Sequence, residues 1–310
     1  MSDPRIDEAR RLHKRGELPQ AIAAYGAVLA SDPGVADVWH LKAAAEHQAG
    51  QLADAAASVG RALESGGEKA PYLLLDGVIR RELGELDAAE RRFARVVQLR
   101  PDLAAGHFEL GRVRMDQGRP QDAVPNFQAA VRLDARHLAA WNNLGVALQS
   151  LDRLDDAVRA FNYALNIDPA YALAHFNLAR IHKLRGDANR GLEHALLAVR
   201  GDPRHVESWL LIGDIHVQRR ETDRALAAYA SAVKADPANL KARLTLADAA
   251  AGAGGYAHAL AEFRRIAAEF PAALRAELPA NLLLPQVYES LDDLESVRRQ
   301  YTEGLGRLEA

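Results

Sequence analysis

The chain has 310 residues, 49% apolar and 26% charged, with a net charge of −3 and no cysteine. This composition excludes a disordered chain, a strongly basic nucleic-acid binder, a disulfide framework, a thiolate metal site and a cysteine nucleophile. The N-terminal MSDPRIDEARRLHKRG has no apolar core and no window holds 18 uncharged apolar residues. A soluble, cytoplasmic chain without secretory signal or membrane span is therefore expected.

Taken in order, the chain repeats itself every 34 residues. Proline recurs at Pro33, Pro101, Pro169, Pro203, Pro237 and Pro271, with Gly67 and Ala135 in register where it is missing. Asp32, Asp168, Asp202 and Asp236 precede four of these prolines, and a residue before proline is pushed out of the α region. The first unit, near 2–35, carries Ala9, Leu12, Gly16, Ala21 and Tyr25; the second, 36–69, has Trp39, Gly50 and Ala55 but places Val59 where others have a ring. The third, 70–103, carries Gly77, Gly84, Ala89 and Phe93. The fourth, 104–137, keeps Leu110, Gly111, Gly118, Ala123 and Phe127. Its Pro125 is expected to cost a hydrogen bond in the second helix or to delay that helix's start. The fifth, 138–171, is the fullest: Trp141, Leu144, Gly145, Leu148, Ala157, Phe161 and Ala164. In the sixth, 172–205, Gly191 and Ala195 stand where the others have Ala and an aromatic. The seventh, 206–239, has Trp209, Gly213, Ala225 and Tyr229, and the eighth, 240–273, Leu246, Ala247, Gly254, Ala259 and Phe263. Beyond it the register fails, and helical spacing returns from Tyr288 to Leu308.

Each unit predicts two antiparallel helices of about a dozen residues joined at a glycine suited to the left-handed C-cap. The small residue after the leucine, Gly111, Gly145 or Gly213, lets the two helices approach, and the second-helix aromatic fills the gap to the next unit. The Trp, Leu-Gly, Ala, aromatic and Pro pattern closely resembles the tetratricopeptide repeat (TPR). That resemblance implies an all-α fold, an α-solenoid wound as a right-handed superhelix of about eight helix pairs over residues 1–271. Its concave groove would be lined mainly by first helices. Residues 272–310 would form a helical cap or linker.

Catalytic patterns are missing: there is no GxSxG, P-loop, HExxH or dinucleotide-binding glycine pattern, and the glycines follow the repeat period. No cofactor, no metal and no enzymatic activity in this chain are expected. His182 and His216 share a register and are expected to replace a packed aromatic, with metal ligation as the alternative. His175 and His182, two turns apart, are too distant to share one zinc ion unaided. The pairs Asp155-Asp156 and Asp292-Asp293 suit helix N-termini, and the arginine doublets, such as Arg80-Arg81 and Arg91-Arg92, suit a solvated, ion-paired exterior.

In the family, first-helix positions two, five, six, nine and twelve tend to face the concave groove. The resemblance thus places Phe108, Arg112, Asn142, Asn143, Phe176, Asn177, Arg180 and Lys183 on the candidate partner surface. Amides, cations and aromatics there suit a protein or an extended peptide; no nucleic-acid or membrane partner is expected. Two alternatives stand for Phe108 and Phe176: facing the groove, or packing between repeats. Asn143 and Asn177, one period apart, resemble the asparagine ladder of O-GlcNAc transferase repeat arrays. Leu284, Pro285, Tyr288, Ser290, Arg298 and Tyr301 resemble the segment joining repeats to catalytic lobes in bacterial SPINDLY-like relatives. This second resemblance implies an alternative role, the substrate-recognition arm of a glycosyltransferase whose catalytic domain is not in this chain.

Overall fold

The computed structural model describes residues 3–255 and, beyond them, 259, 261, 262, 265, 266 and 269. The expected cap or linker at 272–310, the ring of Phe263 and the turn at Pro271 lie outside the described residues. Fifteen α-helices and no strand occur among the described residues. The first compact unit, ending at Ile167, holds α1 (Pro4–Lys14), α2 (Leu18–Ser31), α3 (Ala36–Gln48), α4 (Leu52–Gly66) and α5 (Ala70–Glu82). It continues with α6 (Leu86–Leu99), α7 (Ala104–Asp116), α8 (Pro120–Leu133), α9 (Leu138–Ser150) and α10 (Leu154–Ile167). The second unit, beginning at Asp168, holds α11 (Ala172–Leu184), α12 (Ala188–Gly201), α13 (Val206–Gln218), α14 (Thr222–Ala235) and α15 (Leu240–Gly252). Odd-numbered first helices pair with even-numbered second helices, and from α3 onward first helices begin every 34 residues. The fold is an all-α solenoid.

The turn inside each pair is set by one left-handed residue. Gly16, Gly50, Gly84, Gly118, Gly186 and Gly254 hold φ between +70° and +90°. Behind each, an amide bonds the carbonyl five residues back, as in Gly255 N–H to Ala250 and Glu85 N–H to Arg80. Two pairs make the same turn without glycine: Asp152 holds φ 57° and Arg220 φ 59°. Aspartate tolerates this region; arginine has no such preference and meets the full steric penalty of its Cβ.

Between pairs, an aspartate caps the reversal. The Oδ1 atoms of Asp32, Asp134, Asp168, Asp202 and Asp236 each accept the N–H two residues on, at 2.9–3.1 Å. A ring on the following first helix then reaches back six residues. The Nε1–H groups of Trp39, Trp141 and Trp209 donate to the carbonyls of Pro33, Ala135 and Pro203 at 2.9–3.0 Å. His107 and His175 make the same bond through Nε2, both at 3.0 Å. The histidines that replace an aromatic in this structural role are therefore His107 and His175, because their register puts a ring N–H against a carbonyl. His216 is buried and bonds Glu221 through Nδ1 at 2.6 Å, while half-buried His182 stacks on His194.

The core is a ring on a glycine. A Cβ added at Gly77, Gly111 or Gly145 would lie 2.5–2.7 Å from the buried ring of Phe93, Phe127 or Phe161, and Gly213 seats Tyr229 likewise. These rings also meet the next pair: Phe93 clusters with Leu110 and Val113 of α7, and Tyr229 with Ala242 of α15. In the sixth pair, which has Ala195 in the ring position, Leu211, Ile212 and Ile215 of α13 fill the space. Helix α8 runs through Pro125 and begins at Pro120, so the proline removes a donor without delaying the start. In the third pair Asp76 stands in the leucine register and is fully buried, paired with Arg80 at 2.8 Å and Arg92 at 2.6 Å.

Two substitutions probe these constraints. Gly145→Leu forces side-chain atoms into the Phe161 ring and is expected to lower unfolding free energy by about 1–3 kcal/mol in urea titration. Arg220→Gly relieves the left-handed strain, less the added freedom of the unfolded chain, and is expected to raise it by about 0.5–1 kcal/mol.

Candidate functional site

In the second unit the first helices α11, α13 and α15 enclose an open cleft of about 510 Å³. Phe176, Arg180, Lys183, Leu210, Asp214 and Lys241 line it, at the first-helix positions the repeat pattern indicates. Its charges are largely matched. Lys183 Nζ lies 2.7 Å from Asp214, and Lys241 Nζ lies 2.9 Å from Glu207. Asp214 also accepts the Tyr229 hydroxyl at 3.0 Å; burial first, and then the Asp214 charge, push the Tyr229 phenol strongly upward. Arg180 is exposed, with its guanidinium 5.7 Å from the Phe176 ring centroid. Phe176 in turn packs against His205, with centroids 4.9 Å apart.

The first unit repeats part of this arrangement on a smaller scale. A cleft of about 170 Å³ is lined by Arg112, Met115, Asp116, Phe127, Asn143 and Val146. Arg112 sits 5.5 Å from the Phe108 ring, and Phe108 packs against His137 at 4.6 Å and Phe127 at 6.1 Å. Glu109 holds Arg112 at 3.0 Å. Further ion pairs cross the first helices of this unit: His47 to Glu82 at 2.9 Å, and Arg81 to Glu109 and Asp116 at 3.6 and 3.7 Å.

The eight residues singled out from the sequence thus divide. Phe176, Arg180 and Lys183 line the larger cleft; Arg112 and Asn143 line the smaller one. Phe108 is half-buried between neighbouring elements, whereas Phe176 both packs between repeats and lines its cleft. Asn142 and Asn177 are each only 6% exposed, which removes them from the accessible surface. Asn143 and Asn177, although one period apart, therefore occupy different environments. Sequence reasoning missed Leu184, Leu210 and Gln218. Leu210 shares the register of Phe176, so extending the pattern evenly to α13 would have found it; Leu184 and Gln218 share the thirteenth position, which the pattern does not include.

A second cluster lies at the α11–α12 contact. His175 Nε2 must donate to the Pro169 carbonyl, so in neutral His175 the Nδ1 atom is an acceptor. The His194 Nδ1, 3.0 Å away, must then carry the proton. His182 stacks on His194 in near-parallel planes, 5.4 Å between centroids. Burial, then the neighbouring His175 and His182, push the His194 pKa below the ordinary imidazole value. Among the described residues no group of three or more His, Asp or Glu side chains is arranged to hold a metal ion, and no helix is long and apolar enough to cross a membrane.

The tetratricopeptide-repeat family model matches residues 6–72, 108–172, 176–239 and 210–273. No curated protein matches the chain. Among solved structures, it resembles a chain of the APC/C hetero-tetramer Cut9–Hcn1 at 15% identity and a TM-score of 0.60, over 94% of this chain and 54% of that one. The chain thus spans about half the length of that relative. A tetratricopeptide-repeat protein from Parabacteroides merdae aligns at 16% identity and a TM-score of 0.64, over 78% of this chain and 96% of its own. YrrB, described as a TPR protein with an unusual peptide-binding site, aligns at 21% identity and a TM-score of 0.51, over 63% of this chain and 98% of its own. These likenesses establish the solenoid fold. On the family match, which covers well over half its length, the chain belongs to the tetratricopeptide-repeat family.

The histidine cluster makes stability depend on pH with a definite sign. Folding depresses the His194 pKa, so the unfolded chain binds more protons as pH falls through the ordinary imidazole value of 6.5, and stability falls with it. The urea midpoint is expected to drop between about pH 7.5 and pH 5.5, and His194→Gln to reduce that drop.

Proposed function

We propose that the protein is a non-catalytic interaction module that holds an extended peptide segment of a partner protein along α11, α13 and α15. The observation that carries this reading is the make-up of the second-unit cleft. Apolar side chains, including Phe176, Leu210 and the 69%-exposed Leu184, alternate there with polar groups already held in ion pairs. An exposed leucine beside a cleft costs solvation that a ligand's apolar side chain would recover. The polar groups offer donors and acceptors for a peptide backbone without first having to be ordered. Both carboxylates in the lining, Glu207 and Asp214, are held by lysines, which suits recognition better than general acid–base chemistry.

A second reading is favoured by a sequence observation. The run from Leu284 to Tyr301 supports a role as the recognition arm of a SPINDLY-like glycosyltransferase system. In that case the same cleft would present a substrate to a separate catalytic domain. Co-purification of a nucleotide-sugar-dependent transferase that modifies peptides bound here is the expected outcome, and its absence would remove this reading.

The primary reading is tested by panning the full chain against a random-peptide library. Leu184→Glu is expected to weaken the enriched peptides about tenfold while leaving the melting temperature unchanged. Leu196→Glu, on an exposed second-helix position, should leave them unaffected. Equal responses from the two variants would move the site elsewhere.

A further inference from the structure

Two arginines in this chain occupy the same small structure, repeated after 68 residues. Phe108, Arg112 and His137 of the first unit correspond in register to Phe176, Arg180 and His205 of the second. The geometry agrees. The ring-to-histidine distances are 4.6 and 4.9 Å, and the guanidinium-to-ring distances are 5.5 and 5.7 Å. In both places the phenylalanine packs against the histidine of the following turn and carries the arginine guanidinium over its ring. That contact restricts the guanidinium while leaving its N–H edges available.

The two copies differ at several register positions, among them Met115 against Lys183 and Phe127 against Ala195, and one difference bears directly on the arginine's charge. Beside Arg112 stands Glu109, whose two carboxylate oxygens accept from Arg112 Nη1 at 3.0 and 3.3 Å. Beside Arg180 the equivalent residue is Asn177, which is buried and carries no charge. The other anions of the cleft are committed, Asp214 to Lys183 and Tyr229, and Glu207 to Lys241. Among the described residues Arg180 forms no ion pair. The first copy thus contains its own carboxylate, and the second has the same cation with that carboxylate deleted.

We propose that Arg180, held over Phe176 and lacking the counterpart of Glu109, is the recognition point for a carboxylate of the bound peptide. The peptidic source of that carboxylate rests on the reading of the cleft given above. A planar carboxylate matches the guanidinium fork and gains two charge-assisted hydrogen bonds. Glu207 and Asp214 line the same cleft, so a single negative charge is favoured over a dianionic phosphate. A glutamate or aspartate side group and a free peptide C-terminus all supply the required group. Arg112 binds no such ligand while Glu109 occupies it.

Two measurements on the full-length protein separate this proposal from the peptide-binding reading. In the first, arginine Nε–Hε resonances are followed by NMR during titration with N-acetyl-glutamate amide and, separately, inorganic phosphate. Arg180→Lys and Arg112→Lys supply the assignments. A saturable shift at Arg180 with none at Arg112 is expected, and Glu109→Gln should make Arg112 respond as well. Equal shifts at both arginines in the unsubstituted protein, no shift at Arg180, or a response to phosphate alone would overturn the proposal. The second measurement uses the peptides enriched by panning. Arg180→Gln is expected to weaken them about tenfold, with Arg180→Lys recovering part of the loss and Arg112→Gln having no effect. Glu-to-Gln exchange and C-terminal amidation of the peptides identify which carboxylate is used. Unchanged affinity in Arg180→Gln overturns the carboxylate site while leaving peptide binding intact. A library that yields no binder, with Arg180 still answering to N-acetyl-glutamate amide, overturns the peptide and leaves the carboxylate site standing.

Discussion

The structure depends on the seating of one aromatic ring against one missing side chain. Phe93, Phe127, Phe161 and Tyr229 are buried against Gly77, Gly111, Gly145 and Gly213, at separations that leave no room for a Cβ. That contact brings the two helices of a pair close enough to exclude water. It still leaves part of the ring to be covered by the following pair, as Leu110 and Val113 cover Phe93. A helix pair is consequently unfinished by itself, and stability is passed between neighbours rather than gathered in a central core. Where the ring is lost, in the sixth pair, the neighbour compensates: Ile212 and Ile215 extend into the space above Ala195.

The turns carry a parallel constraint, and here chemistry substitutes more freely. Every connection inside a pair needs a left-handed residue, and six of the eight use glycine. Aspartate and arginine at the other two show that surrounding hydrogen bonds can impose the conformation on a residue that disfavours it. At five of the seven described reversals between pairs a ring N–H is directed at one carbonyl, a contact that indole and imidazole both provide. The repeat keeps a geometry, and several residue types satisfy it.

This explains which parts of the molecule were legible in the sequence. Helix pairs, their spacing and the left-handed glycines follow from the 34-residue register, because local backbone geometry and core packing depend on residue type at fixed positions. The structural role of His107 and His175 was not visible. Register alone does not say that an imidazole edge and an indole edge reach the same carbonyl. Nor was the buried Asp76 anticipated; its burial depends on Arg80 and Arg92 arriving from different helices. For the candidate site, the family resemblance placed eight residues on one groove; of these Phe176, Arg180 and Lys183 line one cleft, and register gave no warning that Asn142 and Asn177 are covered. Positions facing a neighbouring helix and positions facing solvent lie one residue apart on the same turn, and small local rotations decide between them.

A repeat also supplies its own internal control. Equivalent positions experience nearly the same backbone and nearly the same neighbours, so a difference in residue type between two copies is informative where the surrounding geometry is unchanged. The Phe–Arg–His arrangement is preserved in both units to within a few tenths of an ångström, whereas the adjacent residue changes from glutamate to asparagine. The histidine–phenylalanine and arginine–phenylalanine contacts persist in both copies, although Phe127, which packs on Phe108, gives way to Ala195 in the second. The consequence of the change from glutamate to asparagine is electrostatic: Arg112 is paired with Glu109, whereas Arg180 forms no ion pair among the described residues. In a solenoid built from interchangeable pairs, such departures at otherwise matched positions are where binding specificity can be encoded without disturbing the stack that supports it.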